Sequence, residues 1–286
     1  MDQASTDRRI APANHRFLRH RARFALGLAS AALAPAASFA GPTVAPISLT
    51  AAAHRANPAL WEVHDGDTTI YLFGTFHTLD DSTVWFDRSV RAAFDRSGEL
   101  VLETIAPTDP RQLRAIARAV IGPAPASTSI LGQTRVAVSQ GRAAGLSVDR
   151  GAEAVLRRAA VYQGKSLVGI EGFADQLYSF TRIPADGPLP VTTNPAPPIT
   201  LAELLSAWKA GDTGAFSTML AGFDAKAPAA YRTLIADRNA LYGGWIEQRL
   251  TQPGTVFVAV GSGHLAGKDS VQNWLSSKGI VAHRIG

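Results

Sequence analysis

Two histidines stand in matching settings. The apolar run Ile70–Phe73 leads through Gly74-Thr75-Phe76 to His77, and Thr255–Val260 leads through Gly261-Ser262-Gly263 to His264. Two further apolar runs end on carboxylates, Glu99–Leu102 at Glu103 and Leu167–Ile170 at Glu171. A neutral imidazole suits a divalent ion, and two His with one or two carboxylates form a familiar ligand set for Mn, Fe, Co or Zn. Open positions on such an ion activate water or polarise a carbonyl. The plainer alternative is a pair of histidines satisfied by backbone groups at strand ends, and the repeated Gly-x-x-His setting weighs against it. A carboxylate at the end of an apolar run is costly to bury alone. Either Glu103 or Glu171 can ligate the ion while the other serves as general base; the ordinary roles for both are a salt bridge or a helix cap. Arg238, in Ala236-Asp237-Arg238-Asn239, can hold a substrate carboxylate or pair with Glu171, although a solvated helix face is the commoner fate of such a charge.

These residues are far apart in the chain, so the fold must gather them. In an open parallel sheet flanked by helices, the C-terminal strand ends form the rim where ligands bind. Four parallel strands ending at 77, 103, 171 and 264 would bring two imidazoles and two carboxylates to one edge. The expected class is therefore α/β, with a central mixed, largely parallel sheet, flanking helices and a helical insertion over about 109–162. Asp65-Gly66-Asp67 between Trp61–His64 and Thr68–Phe73 signals a hairpin. Asp80-Asp81-Ser82 is placed to cap the next helix, which Gly98 would stop. Helices are expected over 110–120, 131 or 134–144 and 152–162. Thr200-Leu-Ala-Glu203 is a capping box opening a helix through Ala210, and Asp212 can cap the next. A long helix should cover 228–250 with a soft point at Gly243-Gly244, then a helix 266–278 and a final strand 280–285. Residues 41–59 read as a linker with a short helix near 51–55. The proline-rich stretch 182–199 reads as a loop that can cover the rim.

Charge and composition narrow the chemistry. Residues 1–40 carry six Arg and two acids, and the other 246 residues carry 22 basic and 21 acidic groups. With no basic excess in the body, a nucleic-acid partner loses its main support. The chain has no cysteine, which excludes a thiol nucleophile, a Cys-ligated zinc and a disulfide framework. Gly261-Ser-Gly263-His-Leu-Ala266 fits a dinucleotide fingerprint but lacks the acidic residue about 20 positions on. Gly267-Lys268 is followed by Asp269, so it is no P-loop. Ser262 lacks the glycines of a nucleophile elbow.

Gly74-Thr75-Phe76-His77, Glu103, Gly169-Ile170-Glu171-Gly172, Trp208-Lys-Ala-Gly211-Asp212, Asp237-Arg238-Asn239 and Val260-Gly-Ser-Gly-His264-Leu-Ala-Gly267 occur in that order. Together, from about Trp61 onward, they resemble the TraB/PrgY/GumN family, which is related to the Tiki metalloproteases and more loosely to erythromycin-esterase and ChaN-like proteins. The resemblance implies an α/β core with a helical insertion and a site on the two Gly-x-x-His motifs and the strand-end glutamates. It also implies divalent-metal-dependent peptidase chemistry on a peptide or small-molecule substrate. His77, His264, Glu103 and Glu171 then match the metal and acidic positions, and Arg238 matches the Arg-Asn pair.

Arg16, Arg19, Arg21 and Arg23 precede the apolar stretch 24–33, and Ser38-Phe39-Ala40 places small residues where a signal peptidase reads. This is the pattern of a secretory leader; the stretch is too short and too Ala-rich for a good membrane span, leaving none after cleavage. Expression in a bacterial host should yield a periplasmic or secreted form beginning at Gly41 by N-terminal sequencing. A secreted form that begins at Met1 or Asp2 contradicts the assignment.

Overall fold

The computed structural model of the chain describes residues 54–121, 139, 141–181 and 199–286. The leader, the proline-rich stretch apart from Ile199, and most of the helix expected over 131–144 lie outside these residues. Among the described residues no helix is long and apolar enough to cross a membrane.

Strands β1 (His54–Arg55), β2 (Leu60–His64), β3 (Thr68–Thr75), β4 (Thr83–Val84), β5 (Glu99–Leu102), β6 (Ser166–Gly169), β7 (Gly254–Gly261) and β8 (His283–Arg284) form two sheets. The larger has six strands in the order β6-β5-β7-β3-β2-β8. Its β6, β5, β7 and β3 all run parallel, and β2 and β8 pair antiparallel at one side. The expected α/β class with a largely parallel sheet is therefore the observed one, and the hairpin at Asp65-Gly66-Asp67 joins β2 to β3.

Alternation along the strands sorts side chains to two faces. Tyr71, Phe73, Leu100, Leu102, Phe257 and Ala259 pack on one side against α1 (Arg88–Arg96) and α3 (Ala152–Tyr162). That layer also holds Trp208 of α5 (Leu201–Ala210) and Phe216 of α6 (Gly214–Lys226). Ile70, Leu72, Val101, Val256, Val258 and Val260 pack on the other side against α8 (Asp237–Arg249) and α9 (Val271–Ser277). The elements between are α2 (Pro110–Ile121), which lies on α4 (Phe173–Thr181), and α7 (Pro228–Tyr231). The parallel part of the sheet is thus covered on both faces, which is why its strands read as nearly continuous apolar runs.

Several local expectations are corrected. His54–Arg55 is a strand paired with β4 rather than part of a helix. Asp80 does not cap α1; its Oδ1 accepts from Ser82 N and Oγ and from Thr83 Oγ1, closing a turn, and Oδ2 faces Lys209 Nζ at 3.2 Å. The helix expected from 266 begins only at Val271, because Gly267 turns the chain with φ +78 and Ser270 supplies the cap to Asn273 N. The final strand shortens to His283–Arg284. The long helix is irregular at a π-helical turn, Arg232–Ala236, and not at Gly243-Gly244. Gly243 instead lets α8 approach α9, since a Cβ there would lie 2.2 Å from a ring carbon of Trp274. Asp212 does bond Gly214 N at the start of α6, and the Thr200–Glu203 capping box is complete.

One close approach couples the fold to the rim. A Cβ on Gly151, which precedes α3, would sit 2.1 Å from the backbone oxygen of His77. Backbone cannot yield as a flexible side chain can, so Gly151→Ala should cost about 1–3 kcal/mol in urea denaturation. It should also part His77 from α3. Unchanged stability would remove this account of how α3 docks.

Candidate functional site

The ladder continues past the strands into the site. Ile170 N donates to Leu102 O and Glu171 N to Glu103 O, which holds the two glutamates in register at the ends of β6 and β5. Between β5 and β3, β7 brings Gly261 opposite Thr75, so the two Gly-x-x-His segments leave the sheet side by side. Ser262 Oγ donates to Thr75 O at 2.9 Å, and a Cβ on Gly74 would come 2.9 Å from that same hydroxyl. Trp208 Nε1 donates to Gly74 O at 2.8 Å. The glycine of the first motif is therefore required for close contact with the second.

At the centre lies the Arg238 guanidinium. Its Nη2 donates to Glu103 Oε2 at 2.7 Å and to Glu171 Oε1, and its Nε donates to Glu171 Oε1 at 2.9 Å. Its Nη1 faces His264 Nε2 at 3.3 Å. The four side chains are only 7–10% exposed. Gln176 Nε2 donates to Glu103 Oε2 at 3.2 Å, Tyr242 OH donates to Glu171 Oε1, and Gly261 N donates to Glu103 Oε1 at 2.7 Å. Two buried carboxylates are thus offset by one buried guanidinium and several neutral donors.

His264 is held in one tautomer. Asn239 Nδ2 donates to Asp269 O at 2.6 Å, which leaves Asn239 Oδ1, 2.6 Å from His264 Nδ1, as the acceptor. Nδ1 therefore carries the proton and Nε2 keeps its lone pair. Burial lowers the pKa of this imidazole to about 4; Arg238 and His77 push in the same direction, against Glu103. Burial alone would raise the Glu103 carboxyl, but Arg238, His264, His77 and the Gly261 N–H outweigh it and hold the group well below the usual carboxylate range.

His77 stands apart in character. Its side chain is 62% exposed, and its Nδ1 lies 3.1 Å from Glu153 Oε2 on the first turn of α3. The Glu153 charge raises this imidazole to about 9. Both histidines approach one point. At the position a Cβ on Gly261 would take, Glu103 Oε1 lies 3.3 Å away, and His77 Nε2 and His264 Cδ2 each 3.7 Å. His77 Nε2, Glu103 Oε1 and the His264 ring thus gather around Gly261, where a side chain would crowd Glu103.

The sequence-expected residues His77, Glu103, Glu171, Arg238 and His264 are all brought to this rim. As arranged, they do not fit a metal. His264 Nε2 and Glu103 Oε1, 3.5 Å apart, have a separation two donors of one ion can show. Yet Nε2 faces a guanidinium, and the carboxylate oxygens accept N–H and O–H groups. Among the described residues no three His, Asp or Glu side chains are grouped to hold one ion. The cation between the two carboxylates is Arg238.

Sequence reading singled out Asn239 without giving it a role and missed three partners, Tyr242, Gln176 and Glu153. Tyr242 lies one turn beyond Arg238, a spacing that places both on one helix face, and Asn239 adjoins Arg238. Gln176 and Glu153 had no local signal, because their parts follow from how α4 and α3 dock.

A largely parallel α/β sheet with Gly-x-x-His segments and strand-end glutamates meeting at one rim defines the class of protein. A profile of the TraB/PrgY/gumN family matches residues 59–131 and 127–284, and the chain belongs to that family. No curated protein and no solved structure matches it.

Removing the central cation should expose the cost of burying two carboxylates. Arg238→Met is expected to lose about 3–5 kcal/mol at pH 7 in urea denaturation. A depressed carboxylate contributes stability above its unfolded pKa that is lost as pH falls towards its folded value. The deficit of the variant against the parent should therefore shrink at pH 4, where protonated carboxyls need no cation. A deficit equal at both pH values contradicts the assignment.

Proposed function

We propose that the chain is an exported hydrolase acting at the rim over Gly261, on a peptide bond first and an ester second. The observation that carries this reading is the convergence of His77 Nε2, Glu103 Oε1 and the His264 ring around Gly261. Two imidazoles whose environments push their pKa values apart divide the acid and base roles. His264, neutral above about pH 4, takes a proton from a rim water that replaces the long 3.3 Å contact of Arg238 Nη1 on its Nε2, and Glu103 steadies the imidazolium so formed. His77, protonated below about pH 9 through Glu153, delivers a proton to the leaving group. Arg238 holds Glu103 ionised, bonds Glu171, and adds positive potential where charge develops on the attacked carbonyl oxygen. No step of this reading passes through a metal. The metal-dependent form raised by the sequence, with Mn, Co, Fe or Zn on His77, His264 and Glu103 or Glu171, requires Arg238 to leave its place.

A second reading is a binding or regulatory protein that captures a peptide, haem or metal on the same rim. Its support is that the buried network already satisfies its own charges.

The test is incubation with a peptide library and aryl esters in 18O-labelled water, using chelated protein and protein supplied with each divalent ion. Turnover should follow a bell between about pH 4 and 9, the values of the two histidines. His77→Gln should lower kcat by about 100-fold or more and remove the alkaline limb. Glu153→Gln should move that limb to lower pH. No 18O incorporation under any condition favours the binding reading. Turnover restored only by a divalent ion, with that ion lost from His77→Ala and His264→Ala by elemental analysis, favours the metal-dependent form.

A further inference from the structure

A second pair of histidines lies at the other end of the sheet. β8 pairs antiparallel with β2, placing Glu62 opposite His283 and Trp61 opposite Arg284. Residues directly opposite share a face, as do residues two apart on one strand. His283, Glu62 and His64 therefore share a face, while Trp61 and Val63 turn into the core. Both imidazoles are exposed, and they stack with ring centroids 6.1 Å apart and 28° between their planes. Among the described residues no hydrogen bond or ion pair engages a ring nitrogen of either one. Arg284 keeps its charge elsewhere, with its guanidinium on Gly211 O, on Gly286 O and over the Trp61 ring. His64 pairs with Thr69 at the N-terminal end of β3, so the strand's length separates this pair from His77.

We propose that His64 and His283 form a surface site for a borderline divalent ion of the Zn²⁺ type, completed by water. Two imidazole nitrogens on a tetrahedral ion, each about 2.0–2.1 Å from it, place their ring centroids about 5 Å apart. A modest side-chain rotation, open to exposed residues, closes the remaining gap from 6.1 Å. Hard, oxygen-seeking ions find only the single carboxylate of Glu62 on this face, whereas imidazole suits Zn, Cu and Ni. The bound ion clips the two-residue β8 to the sheet edge. Because it binds only where the two strands are paired, it stabilises the folded chain by mass action. This inference stands independently of the rim chemistry.

The experiment is a Zn²⁺ titration against a chromophoric chelator, on the purified parent chain and on His64→Ala, His283→Ala and a His77→Ala/His264→Ala double variant. The parent is expected to bind one more equivalent than either His64→Ala or His283→Ala, and the rim double variant should retain that equivalent. The imidazole 15N signals of His64 and His283 should shift together on the same titration, and Zn²⁺ should raise Tm in the parent but not in His283→Ala. Tm measured without Zn²⁺ checks that the exposed substitutions leave the fold intact. Equal stoichiometry in all variants, loss in one single variant but not the other, or loss only in the rim double variant overturns the proposal.

Discussion

Everything at the rim depends on one guanidinium held between two buried carboxylates. Glu103 and Glu171 sit where their strands leave the core, and burying such carboxylates without a partner is costly. Arg238 reaches both, and Gln176, Tyr242 and Gly261 N–H add further donors. Such a cluster is weak evidence for stability as such, because desolvation cancels much of the attraction. What it does secure is geometry. With both carboxylates pinned, Glu103 faces His264 and Gly261 in a single arrangement.

Two backbone devices deliver the residues to that arrangement. The first is the junction of the two Gly-x-x-His segments, where Ser262 bonds Thr75 across the place that a side chain at Gly74 would fill. The second is the π-helical turn Arg232–Ala236, two residues before Arg238. Wide turns of this kind are uncommon and cluster at functional sites. Here Tyr231 on one side of the turn and Asn239 on the other both bond Asp269, by Tyr231 OH to Oδ2 at 2.8 Å and Asn239 Nδ2 to the backbone oxygen at 2.6 Å. That grip fixes Asn239, and Asn239 fixes the His264 tautomer.

Much of this was legible in the chain. The four apolar runs announced buried parallel strands, and their terminal residues announced the rim, because strand identity and strand end are both local properties. The matching Gly-x-x-His segments correctly pointed to a shared place. What the chain concealed is tertiary. Nothing near Glu153 marks it as the partner of His77; that pairing arises because Gly151 lets α3 press on the His77 backbone. The pairing of Arg238 with Glu171 was one of the roles its sequence offered, but not its bridge to Glu103, since an arginine on an amphipathic helix more often faces water. The expected break at Gly243-Gly244 failed for a related reason: those glycines serve helix packing, and the real irregularity serves the site.

The strand order carries one more consequence. β7 lies between β3 and β5, although both are made long before it. Until that late strand arrives, the earlier ones cannot pair with each other through it, and each presents an open edge. Closing those long loops is slow, and open edges are prone to wrong partners. Because β7 also brings Gly261 and His264, sheet closure and assembly of the chemical groups are the same event. A half-made chain therefore holds no half-working site, and whatever chemistry the rim performs begins only once the scaffold is whole.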